Sequence, residues 1–232
     1  MVFKIVSFLK KMQIKTVKGF GNQLADRDLK ISICDQHPEI TARFAEVFAN
    51  EARVEVLQGN ILHLTADALV SPANSFGDMG GGLDKAIDDF FKGEAQRKVQ
   101  HLIRTEFFGE MPVGVARVLE MHHTQFPYLI VAPTMRIPGN VGKTIHAYLA
   151  MRAALAAVLT HNFTASQNIK SIAVSSLCTG VGGMPYMEAA EQMLTAIHTI
   201  LDEDWKLAVH PAVAPYALGP RWTREEKLNK YK

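Results

Sequence analysis

Apolar residues recur along this chain with two different periods, and the switches between them mark out its elements. Residues 30–35 (Lys-Ile-Ser-Ile-Cys-Asp) alternate as a strand does, residues 38–50 set Phe44, Val47 and Phe48 on one helical face, and residues 54–57 alternate again. Short apolar runs predict further strands at 68–71, 115–120, 128–133 and 171–177, and helical spacing predicts helices at 83–91, 93–107, 143–162 and 185–202. Strand and helix alternate throughout. That order predicts an α/β fold, a three-layer α/β/α sandwich with a mixed, largely parallel sheet. One domain is expected over residues 30–204, preceded by an N-terminal arm or extra strand at 1–29 and followed by a C-terminal extension at 205–232. The extension ends in Arg221, Arg224, Lys227, Lys230 and Lys232, a run whose plain reading is a solvated charged tail.

Composition narrows the class. The chain has 232 residues, 48% hydrophobic, enough to bury a substantial core, and its formal charge of +2 supplies no basic field for nucleic acid. Two cysteines, Cys34 and Cys178, are no disulfide framework and suit a reducing compartment. No apolar run approaches the length of a spanning helix, and Lys4 interrupts the N-terminal apolar stretch, so a cytoplasmic protein is expected. No Cys/His cluster has zinc spacing; neither a metal nor a cofactor is expected.

The chemistry lies in two strand-to-helix turns. In the first, Ser71-Pro-Ala-Asn-Ser-Phe-Gly-Asp-Met-Gly-Gly-Gly-Leu-Asp84, an apolar strand delivers Asn74, then Gly80, Gly81 and Gly82, then Asp84 at the start of a helix. Glycines allow close backbone approach, and the helix start offers unpaired N–H groups at a positive dipole end, which is the layout of an anion and sugar site. In the second, Ser171–Leu177 runs into Cys178-Thr-Gly-Val-Gly-Gly-Met-Pro185 and another helix. Two such turns at the carboxyl ends of parallel strands could clasp a diphosphate from opposite sides. Neither is a nucleotide-hydrolase phosphate loop, because no Gly-Lys-Ser/Thr follows. Arg136, just beyond the strand at 128–133, is a further candidate for a phosphate contact. Cys178 stands at the mouth of the second loop, without a partner base identifiable in sequence.

Taken together, Gln58-Gly-Asn-Ile61, Asp67-Ala-Leu-Val70, Ala73-Asn74, Gly80-Gly-Gly-Leu-Asp84 and Thr179-Gly-Val-Gly-Gly-Met-Pro185 resemble the macrodomains, which bind ADP-ribose. Pro112–Ala116 and Leu129–Pro133 look like the family's central hairpin and strand, and the resemblance covers roughly residues 54–200. It implies a macrodomain-like fold with adenine near Asn60 and Ile61. The diphosphate would lie between the backbones of Gly80, Gly81, Gly82 and Leu83 and of Thr179, Gly180, Val181, Gly182, Gly183 and Met184. Ala73 would line the pocket, Asn74 would hold the distal ribose, and Asp84 would position or activate water. The reaction implied is hydrolysis at the distal ribose, releasing ADP-ribose from a modified protein, an acetyl ester or a 1″-phosphate, with Asn74 and Asp84 as the catalytic pair. The same pocket serves a non-catalytic reader of ADP-ribosylated partners. The chain departs from the family in places: Asn60 stands where an aspartate is usual, Phe76-Gly77-Asp78 where small or aliphatic residues are usual, Met79 where a glycine is common, and Gly182 where an aromatic residue often sits.

One competing reading comes from another class. Ile31–Asp35, the helix from Pro38 and Val54–Asn60 look like the middle of an S-adenosylmethionine-dependent methyltransferase, in which an acidic residue at a strand end holds a ribose. It requires a glycine turn after a preceding strand. The only candidate, Lys18-Gly-Phe-Gly-Asn22, follows no convincing apolar strand, and the two later glycine loops would go unexplained.

Overall fold

The computed structural model describes residues 28–207. Its strands are β1 (Lys30–Asp35), β2 (Val54–Gln58), β3 (Ala68–Ser71), β4 (Arg117–Glu120), β5 (Tyr128–Val131) and β6 (Ser171–Val174). Its α-helices are α1 (Pro38–Phe48), α2 (Gly82–Phe90), α3 (Glu94–Glu106), α4 (His146–Thr164) and α5 (Tyr186–Leu201). Residues 1–27 of the expected arm and the tail beyond 207 lie outside the described residues, while Leu29, at the end of that arm, is fully buried.

The six strands form one sheet in the order β2-β1-β6-β3-β5-β4. Five run parallel, and β4 pairs antiparallel with β5 at one edge. Burial follows from this placement. The central β3 and β5 are buried at every position, which is why Ala-Leu-Val-Ser and Tyr-Leu-Ile-Val read as continuous apolar runs rather than alternating ones. The edge strand β4 begins and ends on exposed Arg117 and Glu120.

Alternate residues of the inner strands face opposite layers. Ile31, Ile33, Ala68, Val70, Ile130 and Ile172 pack with α1, α4 and α5. Leu69, Leu129, Val131 and Ala173 pack with α2 and α3 through Ile87, Ala95, Val99 and Ile103. The α4–α5 contact is made by small residues, with Ala147, Ala150, Ala154, Ala189 and Ala190 all fully buried. Gln192 is buried there as well. Its Oε1 accepts from Tyr148 N at 3.2 Å, and its Nε2 donates to Thr144 O and Glu188 Oε1, so no end of the amide is orphaned.

Element ends differ from the periodic pattern where local hydrogen bonds intervene. The strand expected at 171–177 stops at Val174, because Ser176 O accepts from Thr179 Oγ1 at 2.8 Å and Cys178 turns left-handed at φ 69°. The helix expected from 143 starts at His146, since Thr144 is held in a turn by its bond to Val141 O and its Oγ1 accepts from His146 N.

One ion cluster ties β2 to the end of α5. Arg53 forks between Glu51 (Nε–Oε1 2.6 Å, Nη2–Oε2 2.7 Å) and Asp202 (Nη1–Oδ1 2.8 Å), with His198 Nε2 3.3 Å from Glu51. The guanidinium bonded to Glu51 holds its carboxyl below the ordinary value of 4.5, against the opposing effect of burial. A lowered carboxyl pKa contributes stability that is present above the unfolded value and lost as the pH falls through the folded one. Glu51→Gln should therefore cost roughly 1–3 kcal/mol in urea unfolding at pH 7. The gap from the parent protein should close as the pH falls below about 4.5; a gap that stays constant with pH would show that the pair contributes no linked stability.

Candidate functional site

Parallel strands bring their carboxyl ends to one edge of the sheet, and there the chain leaves a cleft of about 660 Å³. Each of the five parallel strands contributes the turn at its carboxyl end. The β1 turn supplies Cys34 to His37, the β2 turn Gly59 to Ile61, the β3 turn Pro72 to Asn74, and the β5 turn Thr134, Met135 and Pro138. From beyond β6 come Ser175, Ser176 and Cys178 to Val181, and the start of α2 closes the wall with Gly81 to Asp84. Asn60, Ile61, Ala73, Asn74, Gly81, Gly82, Leu83, Asp84, Thr179, Gly180 and Val181, chosen from sequence, thus meet in one place. Gly80, Gly182, Gly183 and Met184 do not line the cleft.

The first loop is arranged for an anion. Gly82 sits at φ +56°, a left-handed conformation suited to glycine, and carries the chain from the extended Gly81 into α2. No side chain caps this helix, and its first turn lines the cleft through Gly82, Leu83 and Asp84, so the positive end of its dipole lies at that wall. The second loop is braced from behind. Val141 N donates to Gly182 O at 2.7 Å, Met184 N to Cys178 O and Gly183 N to Gly180 O, both at 3.0 Å. A Cβ on Gly182 would lie 2.4 Å from Cys178 O. Gly182 is therefore a close-approach glycine inside the loop, with no room for a side chain.

Among the described residues lining the cleft there is no lysine or arginine, while Asp35, Asp78 and Asp84 all contribute. An anionic ligand here is met by backbone N–H groups rather than by side-chain cations. Arg136 lies elsewhere. Its guanidinium pairs with Glu110 (Nε–Oε1 2.6 Å, Nη2–Oε2 2.9 Å) and covers the Phe76 ring, and it does not line the cleft. Cys178 does line it, but burial pushes its thiol up to about 12, leaving it protonated and a poor nucleophile.

Asp84 lines the cleft with a strongly perturbed carboxyl. Burial raises it from the ordinary 3.8 to about 6; a hydrogen bond from Ser71 Oγ to its Oδ1, at 2.7 Å, opposes that rise, and the charge of Asp78 adds to it. Ser71 itself is fully buried. Asn74 lines the same wall, but its amide is committed to its own loop: Nδ2 donates to Asp78 O at 2.7 Å, and Oδ1 accepts from Phe76 N and Asp78 N. Asn60 is similarly engaged, its Oδ1 capping a short 3-10 turn by accepting from Leu62 N at 3.0 Å.

Asp35, Ser71, Ser176 and Asp78 also belong to this site or its support, beyond the residues expected from sequence. Asp35 was visible as an acid at a strand end. The two serines give no local signal, because each matters through a partner far along the chain or across a turn.

Comparison with known proteins places this cleft in a family. The Macro domain family model matches residues 70–193. A protein of Aquifex aeolicus without assigned function is 32% identical over 144 residues, spanning 62% of this chain and 80% of that one. An O-acetyl-ADP-ribose deacetylase of Escherichia fergusonii is 33% identical over 156 residues, 66% of this chain and 80% of that one. Among solved structures, a variant of the Oceanobacillus iheyensis macrodomain with ADP-ribose is 26% identical with a TM-score of 0.53, covering 62% of this chain and 76% of that one. The DarG macrodomain of Mycobacterium tuberculosis, 20% identical with a TM-score of 0.53 over 62% of this chain and 90% of that one, shares the fold. With two glycine turns meeting at the carboxyl edge of a mixed sheet, and a family match across more than half its length, the chain belongs to the Macro domain family.

Proposed function

We propose that the cleft binds ADP-ribose and that Asp84 activates water for hydrolysis at the distal ribose. In this reading adenine lies at Asn60 and Ile61, the diphosphate lies between the uncapped start of α2 and the Thr179–Val181 backbone, and the distal ribose lies beside Asn74. The observation that carries the catalytic part is Asp84. A carboxylate whose pKa has risen to about 6 is still ionised at neutral pH, yet is a better proton acceptor than an ordinary aspartate. For an O-acetyl ester on the distal ribose, the water oxygen would bond to the acyl carbon as Asp84 takes its proton. The ester C–O bond then breaks, the ribose oxygen recovers a proton, and ADP-ribose and acetic acid leave. The α2 N–H groups would hold the diphosphate fixed while this occurs. The deacetylase name of the Escherichia fergusonii relative and the ADP-ribose complex of the Oceanobacillus iheyensis macrodomain support the same ligand.

A second reading is favoured by Asn74. With its amide bonded to Asp78 O and to its own loop N–H groups, the residue expected to orient the sugar is not aimed at it. A reader of ADP-ribosylated proteins needs only the clasp.

Calorimetry should give an ADP-ribose dissociation constant in the micromolar range, about −8 kcal/mol. With O-acetyl-ADP-ribose as substrate, kcat/KM should rise with pH through an apparent value near 6 and then level off. Asp84→Ala should lower it by about 10²-fold or more, with a smaller loss of ADP-ribose affinity. Tight binding with no turnover over hours would sink the enzyme and leave the reader.

Asp84 also makes a stability prediction. Because its folded pKa lies above the ordinary 3.8, it adds stability fully below that value and loses it as the pH rises through about 6, so its charge is a cost at pH 7. Asp84→Asn, which keeps an acceptor for Ser71, should raise stability at pH 7 by on the order of 1–3 kcal/mol while removing turnover. The gain should fade as the pH approaches 4; a variant less stable than the parent at pH 7 would show that the carboxylate is held favourably.

A further inference from the structure

The β1–α1–β2 unit precedes the residues matched by the family model, yet its first turn forms one wall of the cleft through Asp35, His37 and Ile40. Asp35 closes β1. Its backbone O accepts from Gly59 N at 2.8 Å, which sets it beside Asn60 and Ile61. Its carboxylate faces the other way, with Oδ1 accepting from His37 N at 2.9 Å and Oδ2 accepting from Ser176 Oγ. Ser176 Oγ lies 2.7 Å from Thr179 Oγ1, at the base of the second glycine loop. Asp35 therefore stands between the Asn60–Ile61 wall and the Thr179–Val181 loop.

ADP-ribose is a linear ligand in which one ribose lies between adenine and the diphosphate. With adenine at Asn60–Ile61 and the diphosphate at the loops, the group facing Asp35 is that proximal ribose. The chemistry agrees with the placement. A carboxylate only accepts hydrogen bonds and repels anions, so the ligand atoms against it must be donors. Each Asp35 oxygen has one protein donor and keeps a further lone pair, which matches the two O–H groups of a vicinal diol. Acids at strand ends hold ribose hydroxyls in this way in other α/β folds.

Building on the ADP-ribose reading, we infer that Asp35 is a specificity-determining residue that receives the 2′- and 3′-hydroxyls of the adenosine ribose. The substrate class narrows accordingly to ADP-ribosyl groups whose proximal 2′-hydroxyl is free. A phosphate on that oxygen would set a dianion against the carboxylate, and a glycosidic bond there would remove the donor.

The test is calorimetric titration of the full chain with ADP-ribose, 2′-deoxy-ADP-ribose and 2′-phospho-ADP-ribose, for the parent protein, Asp35→Asn and Asp35→Ala. The parent should bind the deoxy ligand about tenfold or more weakly, as for loss of a hydrogen bond to a charged group, and the phosphorylated ligand more weakly still. Asp35→Ala should bind ADP-ribose and its deoxy analogue alike. Asp35→Asn keeps an amide oxygen to accept from His37 N and presents its NH2 to Ser176 Oγ, a hydroxyl that can accept, so it preserves the loop while losing the charge, and the discrimination against the 2′-phosphate should shrink with it. Unchanged ligand ratios in both variants, or a parent protein indifferent to the 2′-substituent, would overturn the assignment of Asp35 while leaving ADP-ribose as the ligand. A parent protein that binds none of the three would overturn the ADP-ribose reading itself, and this assignment with it.

Discussion

Parallel pairing of β1, β6, β3 and β5 is the constraint from which the site follows. It forces every inner strand to release its chain at the same edge, so that turns from sequence positions as distant as Asp35 and Thr179 become neighbours. It also requires helices on both faces to cover strands that are apolar on both sides, and this fixes where α2 begins. The orientation of the α2 N-terminus toward the cleft is a consequence of that packing, with Ile87 buried beneath it and Gly82 supplying the left-handed step at its entrance.

The electrostatics of the cleft separate the two tasks proposed for it. In the proposed reading anion binding falls to the backbone, through uncapped N–H groups and a helix dipole whose positions are set by the fold. The ionisable side chains facing the cleft include three carboxylates, which suit hydroxyl donors and proton transfer rather than phosphate. Asp84, with Ser71 beneath it, is raised toward neutrality by burial. Asp35 is engaged by His37 N and Ser176 at the cleft wall. The raised carboxyl costs stability at the place where it is proposed to act, a pattern expected of a working group rather than a structural one.

What could be read from the sequence was what is local. Strand and helix periods located the elements from Lys30 to Leu201 within a few residues, and the glycines of both loops announced themselves because backbone geometry is written in adjacent residues. The internal workings of the loops were less visible. Gly182 stood out only as a departure from an aromatic position, although the constraint on it is contact with Cys178 O. Arg136 read as a possible phosphate ligand, although Glu110, twenty-six residues away, takes its guanidinium. Asn74 and Asn60 carried their family positions, but the occupation of their side chains by Asp78 and Leu62 backbone groups is a fact of turn geometry. Asp35 and Ser176 are 141 residues apart, and only the insertion of β1 beside β6 makes them a pair.

In the proposed reading two backbone loops, one on each side of the cleft, grip the diphosphate of ADP-ribose. Amide-resolved NMR titration tests it most directly, with AMP as a ligand that carries the adenosine half alone. ADP-ribose should shift the amides of Gly81, Gly82 and Leu83 together with those of Thr179, Gly180 and Val181, whereas AMP should act mainly on the side of Asn60, Ile61 and Asp35. Shifts confined to one loop, or lying outside the cleft, would contradict the account.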